Sequence, residues 1–188
     1  MNSCRVVVIG DLLLFAVISV VSPEEFQIAF VQIMNSYRAL HGSGKLLIHK
    51  NISQEAQEHA NKLCRGISER YIPFDVPDML SNLTCHSSRP LECVHMWYEE
   101  RKYYNYENGQ YVPKAAHFTL LIWKSSKYVG VGICSKPMEK YFVVAKLYPR
   151  GNEKNKFSEN VLPQRNHCSN LPTNCIFSAV AVIIPLFA

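Results

Sequence analysis

The residue in this sequence that most invites a chemical role is His117, in the stretch "KAAHFTLLIWKSSKYVGVG" from Lys114 to Gly132. It lies just before an apolar run, and a Gly-x-Gly follows. An imidazole can act as a general base near neutral pH or as a metal ligand. A hydrolytic site needs either an activated nucleophile with an oriented base or several ligands that converge on a zinc ion. The partners of His117 therefore decide between an enzyme and a binding protein.

The other histidines offer less chemistry. His95 and Glu100 are five residues apart on a predicted helix, about 140° around its axis, so they do not share a face. His41, His49 and His59 belong to the first helical half of the chain, where we expect them at the surface. None of them has an evident catalytic partner.

Seven cysteines could suggest a thiol enzyme, but none lies in a recognisable nucleophile motif. Disulfides explain them better. Cys4 lies in a predicted signal peptide, and its removal leaves an even number that suggests up to three disulfides in an oxidising compartment. The sequence leaves their pairing open. The six disulfide candidates are Cys64, Cys85, Cys93, Cys134, Cys168 and Cys175.

The start of the chain resembles a targeting segment rather than part of the folded domain. Residues 1–22 have Arg5 near the start, then a mostly apolar stretch, then small residues. This order is typical of a secretory signal peptide, here cleaved after Ser22. An uncleaved membrane anchor is the alternative, although the run is shorter than the ~20 residues that a span needs.

The end of the chain, residues 167–188, is a polar spacer followed by an apolar tail. This layout is that of a GPI-anchor signal, for which Ser169 or Asn170 would be the attachment site. Attachment there would remove Cys175, so an anchor and a full set of three disulfides exclude each other. A terminal segment that packs against the body is the alternative. We expect a secreted or GPI-anchored cell-surface protein.

Two sequons, Asn51-Ile-Ser and Asn82-Leu-Thr, are predicted glycosylation sites, and in a secreted chain both should lie on the surface. The formal net charge is +5, and the lysines and arginines are scattered without a dense basic run. Nucleic-acid binding is therefore not expected. A weak attraction to anionic membrane surfaces stays open.

The body, residues 23–166, is predicted to be one domain. Ser22-Pro23-Glu24-Glu25 has the pattern of a helix start with a capping box. A second helix is predicted to start near Asn51 and a third at Pro90, whereas 67–88 has no clear period and is interpreted as loop. Two β-rich runs, "YVGVGIC" and "KYFVVAKLY", predict a hairpin. Helices followed by strands indicate an α+β domain with helices packed on a mostly antiparallel sheet.

Several blocks of residues resemble a known family. "NSYRALHG", "AQEHANKLC", "WYEERKYYNY", "HFTLLIWKSSKYVGVG" and "FVVAKLYPRGN" occur in the order found in the CAP superfamily of cysteine-rich secretory proteins, insect antigen 5 and plant pathogenesis-related class 1 proteins. "GNEKNKFSENVLP" is most similar to the Golgi-associated plant pathogenesis-related branch. The resemblance covers residues 26–163 and implies a three-layer α-β-α sandwich. It also implies that His117 begins a short helix, although the residues of this segment alone are equally compatible with a strand.

The resemblance further implies a cleft whose two histidines and two glutamates can bind a divalent metal. His117 matches the histidine of H-F-T, and Glu100 matches the glutamate of the W-Y-x-E helix. The family's other glutamate corresponds to Ser81, in "LSNL", and its other histidine aligns near Arg70. One imidazole and one carboxylate bind a metal poorly, so we expect no cofactor. His117 and Glu100 are then weak metal candidates, with His86 the only obvious spare ligand.

Two classes of function remain. The first is a non-enzymatic, exported or membrane-tethered module in which His117 and Glu100 hydrogen-bond each other on the cleft floor, with no catalytic residue. What the resemblance implies for such a module is a lipid or sterol ligand, or an extracellular protein partner. Tyr106 and Tyr111, in "YYNYENGQYVPKAA", are the lipid-binding candidates, although an ordinary surface loop would look the same. The alternative is a metal-dependent hydrolase or protease that uses the residual cleft, with Ser81 the one conceivable nucleophile.

Overall fold

The computed structural model describes residues 22–66, 82–135 and 140–165. The predictions for the signal peptide up to residue 21, for Arg70 and Ser81, and for the tail from 166 onward lie outside these ranges. The tail includes two cysteines and both anchor candidates, Cys168, Cys175, Ser169 and Asn170. Within the described ranges, no helix combines the length and the apolar character that crossing a membrane requires.

Helices and strands are interspersed along the chain. Short 3-10 turns lie at Pro90–Glu92, Glu100–Tyr103 and Pro113–Ala115. The elements are α1 Pro23–Leu40, β1 Leu47–Ile48, α2 Lys50–Gly66, β2 Asn82–Ser87, α3 Cys93–Glu99, α4 Ala116–Leu121, β3 Tyr128–Cys134, β4 Tyr141–Tyr148 and α5 Phe157–Asn160.

Helix α1 begins where its capping residues predict. The Ser22 hydroxyl accepts a hydrogen bond from the Glu25 backbone N–H at 3.1 Å, and the Glu25 carboxylate accepts one from the Ser22 backbone N–H at 2.8 Å. Together these bonds satisfy backbone donors that the first helical turn leaves without partners. The predicted capping box is confirmed.

The four strands form one sheet in the order β1-β3-β4-β2. Strand β4 pairs antiparallel with β3 and with β2, and β1 pairs parallel with β3. The predicted β3–β4 hairpin and the mostly antiparallel sheet are confirmed. The loop prediction for 67–88 is wrong over 82–87, because these residues pair with β4 along their whole length.

One face of the sheet is covered by α2. Gly130 and Gly132 lie directly beneath this helix, where a Cβ would collide with the backbone of Ile52 or Ala56. The Gly-x-Gly of β3 therefore lets a helix backbone rest on the sheet. A disulfide between Cys64 at the end of α2 and Cys134 at the end of β3 links the two layers.

The opposite face of the sheet carries the larger core. Buried side chains of β3 and β4, such as Val129, Val143 and Leu147, pack there with Phe30 of α1 and Phe118 of α4. The chain therefore forms the expected three layers, helix, sheet and helices. A second disulfide, Cys85–Cys93, joins β2 to the start of α3. Four of the six candidate cysteines are thus paired.

A buried arginine fixes the end of α1 to the segment after α4. The Arg38 side chain is fully buried, and its guanidinium donates hydrogen bonds of 2.9 Å to four backbone carbonyls. Burial lowers the pKa of Arg38 to about 10, so the side chain is charged at neutral pH. The four acceptors are the carbonyl groups of Gly44, Leu121, Trp123 and Ser126.

His41 is buried, so the expectation that it lies at the surface is wrong. Its Nδ1 lies 2.7 Å from the Leu162 carbonyl oxygen, and its Nε2 lies 3.2 Å from the Tyr98 hydroxyl. Burial lowers the pKa of His41, which favours the neutral ring. The residue closes the core at the end of α1 because the chain after α5 returns to cover it.

Candidate binding cleft

The site implied by the family resemblance centres on the pair His117 and Glu100, which the fold brings together from two helical segments. Glu100 begins the turn after α3, and His117 is the second residue of α4. The His117 Nδ1–H donates to Glu100 Oε1 at 2.8 Å. The other carboxylate oxygen, Oε2, accepts the backbone N–H groups of His117 at 2.9 Å and of Phe118 at 3.2 Å.

Glu100 therefore serves as the N-terminal cap of α4. Ala115, at the N-cap position of that helix, has no side chain that could accept a hydrogen bond from the first turn. Glu100 supplies the missing acceptor from another element, and its negative charge suits the positive end of a helix. Oε2 performs this capping, and Oε1 holds the His117 ring.

A second polar side chain holds α4 from the opposite direction. Asn152 lies at a positive φ of 55°, and its amide nitrogen donates to the Ala116 carbonyl at 2.9 Å. Its side-chain oxygen accepts the Thr119 hydroxyl at 2.7 Å. The sequence analysis assigned no role to Asn152. Since α4 is held at both sides, the His117 ring has a fixed place, stacked at 6.1 Å against Trp97.

The described residues around His117 offer few ligands to a divalent metal. Glu100 engages Nδ1 of His117, and the buried Nε2 has no hydrogen-bond partner within the described ranges. Those ranges also contain no group of three or more His, Cys, Asp or Glu side chains that could hold an ion. Two other histidines have contacts of their own: His86 stacks on Phe142 with ring centroids 4.1 Å apart, and His95 bonds the Tyr37 hydroxyl. One free nitrogen is too few for zinc.

The two tyrosines proposed for a lipid site differ in their surroundings. Tyr106 packs against Tyr104 with centroids 5.0 Å apart, and burial raises its pKa to about 12. Tyr111 lines a cavity of about 520 Å³ together with Phe157 and several amide side chains. The pKa of Tyr111 is raised by burial and, less strongly, by the charge of Glu100. Tyr111 borders this cavity, whereas Tyr106 is not part of its wall.

The two sequons also differ. Asn51 is exposed in the first turn of α2, whereas Asn82 lies in β2 opposite Lys146 and is only 7% exposed. The expectation that both asparagines lie on the surface is therefore wrong for Asn82. Asn82 is buried because β2 pairs with β4, a pairing that the sequence did not predict. Thr84 of the same sequon lies in this strand as well.

The fold and the site together define a class of protein: a three-layer α-β-α sandwich with a hydrogen-bonded His–Glu pair. The model of the CAP, or cysteine-rich secretory protein, family matches residues 31–147, and the chain belongs to this family. The predicted membership and the predicted sandwich are both confirmed.

The chain is 32% identical over 147 residues to human Golgi-associated plant pathogenesis-related protein 1, across 76% of this chain and 96% of that protein. It is 29% identical over 144 residues to Protein PRY2 of Saccharomyces cerevisiae, across 74% of this chain and 42% of PRY2. Among solved structures, Schistosoma mansoni venom allergen-like protein 4 superposes with a TM-score of 0.58 at 17% identity, covering 76% of this chain and 96% of that one. This structural likeness concerns the fold alone.

Proposed function

We propose that this chain is a non-enzymatic, exported binding module that acts by binding a lipid, such as a sterol, or an extracellular protein partner. The observation that carries the proposal is the use of Glu100 as a helix cap. Its carboxylate accepts three hydrogen bonds from His117 and Phe118, which use three of its roughly four lone-pair sites and leave little capacity to polarise water or hold an ion. A general base must reach the proton that it removes, and Glu100 is turned inward instead.

The cavity beside Tyr111 supports the lipid form of this proposal. Its volume of about 520 Å³ lies within the range of small-molecule sites. The rings of Tyr111 and Phe157 give it an apolar wall, and amide side chains give it a polar rim. This combination suits an amphipathic ligand with a hydroxyl group.

The test is lipid extraction from the purified protein, followed by uptake of radiolabelled cholesterol. We expect bound lipid or saturable uptake that Tyr111→Ala lowers. Tyr103→Ala is the matched control, because Tyr103 is exposed and does not line this cavity. Recovery of no lipid together with no uptake would remove the lipid form and leave recognition of a protein partner.

A metal-dependent hydrolase or protease remains the alternative, because Nε2 of His117 is a free acceptor in the described structure. The test is hydrolysis of casein and of an activated ester, with and without added zinc. We expect no activity above that of His117→Ala. Zinc-dependent turnover that His117→Ala abolishes would favour the alternative.

Export and anchoring are tested by mass spectrometry of the mature protein. We expect an N-terminus created by cleavage after Ser22 and a glycan on Asn51. A C-terminal glycolipid on Ser169 or Asn170 would show a cell-surface protein, and an intact tail through residue 188 would contradict the anchor. Retention of residues 1–22 would contradict export by a cleaved signal peptide.

A further inference from the structure

A row of exposed side chains crosses three strands at one end of the sheet. Leu47 of β1 lies opposite Tyr128 of β3, which in turn lies opposite Tyr148 of β4. Residues opposite one another in a sheet point to the same face, so the three side chains are neighbours. Leu47 and Tyr148 are each 61% exposed, and Tyr128 is 36% exposed. Contiguous exposed apolar surface of this kind marks an interaction site.

The row is bare because α2 begins short of it. Gly130 and Gly132 lie on the same face as Tyr128, and the backbone of α2 rests on these two glycines. Since α2 begins at Lys50, its first turn ends beside the row rather than over it. A cavity of about 570 Å³ remains there, lined both by the first turn of α2 and by Tyr128 and Tyr148.

The wall of this cavity includes the asparagine of a predicted sequon. Asn51 is exposed in the first turn of α2 and lines the cavity together with the two tyrosines. An N-linked glycan is joined to the side-chain amide of its asparagine, so a glycan on Asn51 begins at the cavity wall. Asn82, from the other sequon, lines the same cavity but is only 7% exposed. Of these two asparagines, Asn51 is the one whose exposure leaves room for a glycan.

The side chains of the wall suit a sugar. The face of a tyrosine ring is negative, and one face of N-acetylglucosamine consists of C–H groups with a small positive charge, so the two can stack. The hydroxyl and acetamido groups of the sugar need hydrogen-bonding partners around that contact. The wall supplies His49 and Arg150, and also Lys146, which lies 3.6 Å from Glu55. Aromatic surface with a few polar groups at its edge is the usual composition of a small-molecule site.

We propose that the inner N-acetylglucosamine units of a glycan on Asn51 pack into this cavity against Tyr128 and Tyr148. The proposal rests on the proposed export of the protein and gives the exposed row an occupant from the same molecule. Because this occupant is tethered at the cavity wall, its effective concentration there is high. The packed glycan covers the tyrosine rings and fastens the first turn of α2 to the ends of β3 and β4. A second copy of this chain is disfavoured as the occupant, because the glycan would obstruct its approach.

The test is a double-mutant cycle on protein secreted by cultured animal cells. Asn51→Gln removes the glycan and Tyr148→Ser removes one ring. We expect Asn51→Gln to lower the Tm of the wild type by roughly 2–4 °C. It should lower the Tm of Tyr148→Ser by no more than about half that shift, because coupling in such a cycle reports contact between the two groups. Tyr141→Ser is the matched control: Tyr141 is exposed in the same strand but lies outside the cavity, so Asn51→Gln should act on it as on the wild type.

A second measurement is independent of stability. Peptide-N-glycosidase F cuts the bond between Asn51 and the first sugar, so packing of that sugar should slow its release from the native protein. Loss of one stacking contact should speed release from Tyr148→Ser by about 2- to 12-fold. Tyr141→Ser should release the glycan as slowly as the wild type. After denaturation all three proteins should release it at the same rate.

Mass spectrometry of the secreted protein gives the first decisive outcome. An unmodified Asn51 would overturn the proposal, and a glycan on Asn82 in its place would assign the cavity to the other sequon. Additive Tm shifts, or equal native release from the wild type and Tyr148→Ser, would also overturn it, because the glycan would then point into solvent. Self-association that Tyr148→Ser abolishes would replace the glycan with a second copy.

The same measurements separate this proposal from the proposed function. Residues 1–22 retained, with no glycan at either sequon, would contradict the export on which the proposal rests. A glycan on Asn51 that points into solvent would overturn the packing alone. Cholesterol uptake that Tyr111→Ala lowers should be unchanged in Tyr148→Ser, because Tyr148 does not line the cavity beside Tyr111.

Discussion

Replacement of Glu100 by alanine should destabilise the fold, because this carboxylate is the external cap of α4. Loss of an N-cap costs about 0.5–2 kcal/mol, and here two backbone N–H groups lose their acceptor. Loss of the charged hydrogen bond to His117 Nδ1 adds about 1.5 kcal/mol. The sum predicts that Glu100→Ala lowers the free energy of unfolding by about 2–4 kcal/mol.

Glu100→Gln should cost less, about 1 kcal/mol, because an amide oxygen still accepts the backbone N–H groups. The assay is urea unfolding followed by tryptophan fluorescence. Glu99→Gln is the matched control: its partner Arg101 is on the surface, and exposed ion pairs contribute about 0–1 kcal/mol. A Glu100→Ala variant within about 0.5 kcal/mol of the wild type would refute the capping role.

Three further predictions concern residues away from the cleft. Burial lowers the pKa of His41 below its ordinary 6.5, so the contribution of this residue to stability is complete above that pH and is lost as the pH falls. The free energy of unfolding should therefore decrease from pH 7 to pH 5. His41→Gln should flatten that slope, while His49→Gln should leave it unchanged. Arg38→Met should lower the free energy of unfolding by at least about 3 kcal/mol, since four backbone carbonyls lose a donor inside the core. Gly132→Ala should cost about 1–3 kcal/mol or more, because α2 leaves no room for a Cβ, whereas Gly44→Ala, with open space around it, should be nearly neutral.

The same unfolding assay can contradict each of these three predictions. A pH slope that survives His41→Gln would place the titrating group elsewhere. A mild loss in Arg38→Met would show that water replaces the guanidinium. Equal effects of alanine at Gly132 and Gly44 would show that α2 can move away from the sheet at little cost.

Local sequence signals predicted the elements that local interactions form. The α1 capping box involves residues three apart, and the β3–β4 hairpin joins neighbouring runs of β-formers, so both could be predicted from the chain alone. Strand β2 could not. "NLTCHS" has little apolar character, and it becomes a strand because β4 and the Cys85–Cys93 disulfide hold it in place.

The helical start of "HFTLLIW" also depends on distant residues. An apolar run of this length fits a strand or a buried helix equally well, and only the family resemblance favoured the helix. In the structure, Glu100 and Asn152 cap and fasten this segment, from 17 and 36 residues away in sequence. The burial of His41 could not be predicted for the same reason, because it depends on contacts with Tyr98 and Leu162, which are distant in sequence.

We propose that the His117–Glu100 pair supports the fold and binds no cation, so that the protein acts by binding rather than by turnover. Isothermal titration of the purified full-length protein with zinc tests it most directly, with His117→Ala as the reference. The account predicts no saturable heat beyond that of His117→Ala. Tight binding of one zinc ion by the wild type, lost in His117→Ala, would contradict it.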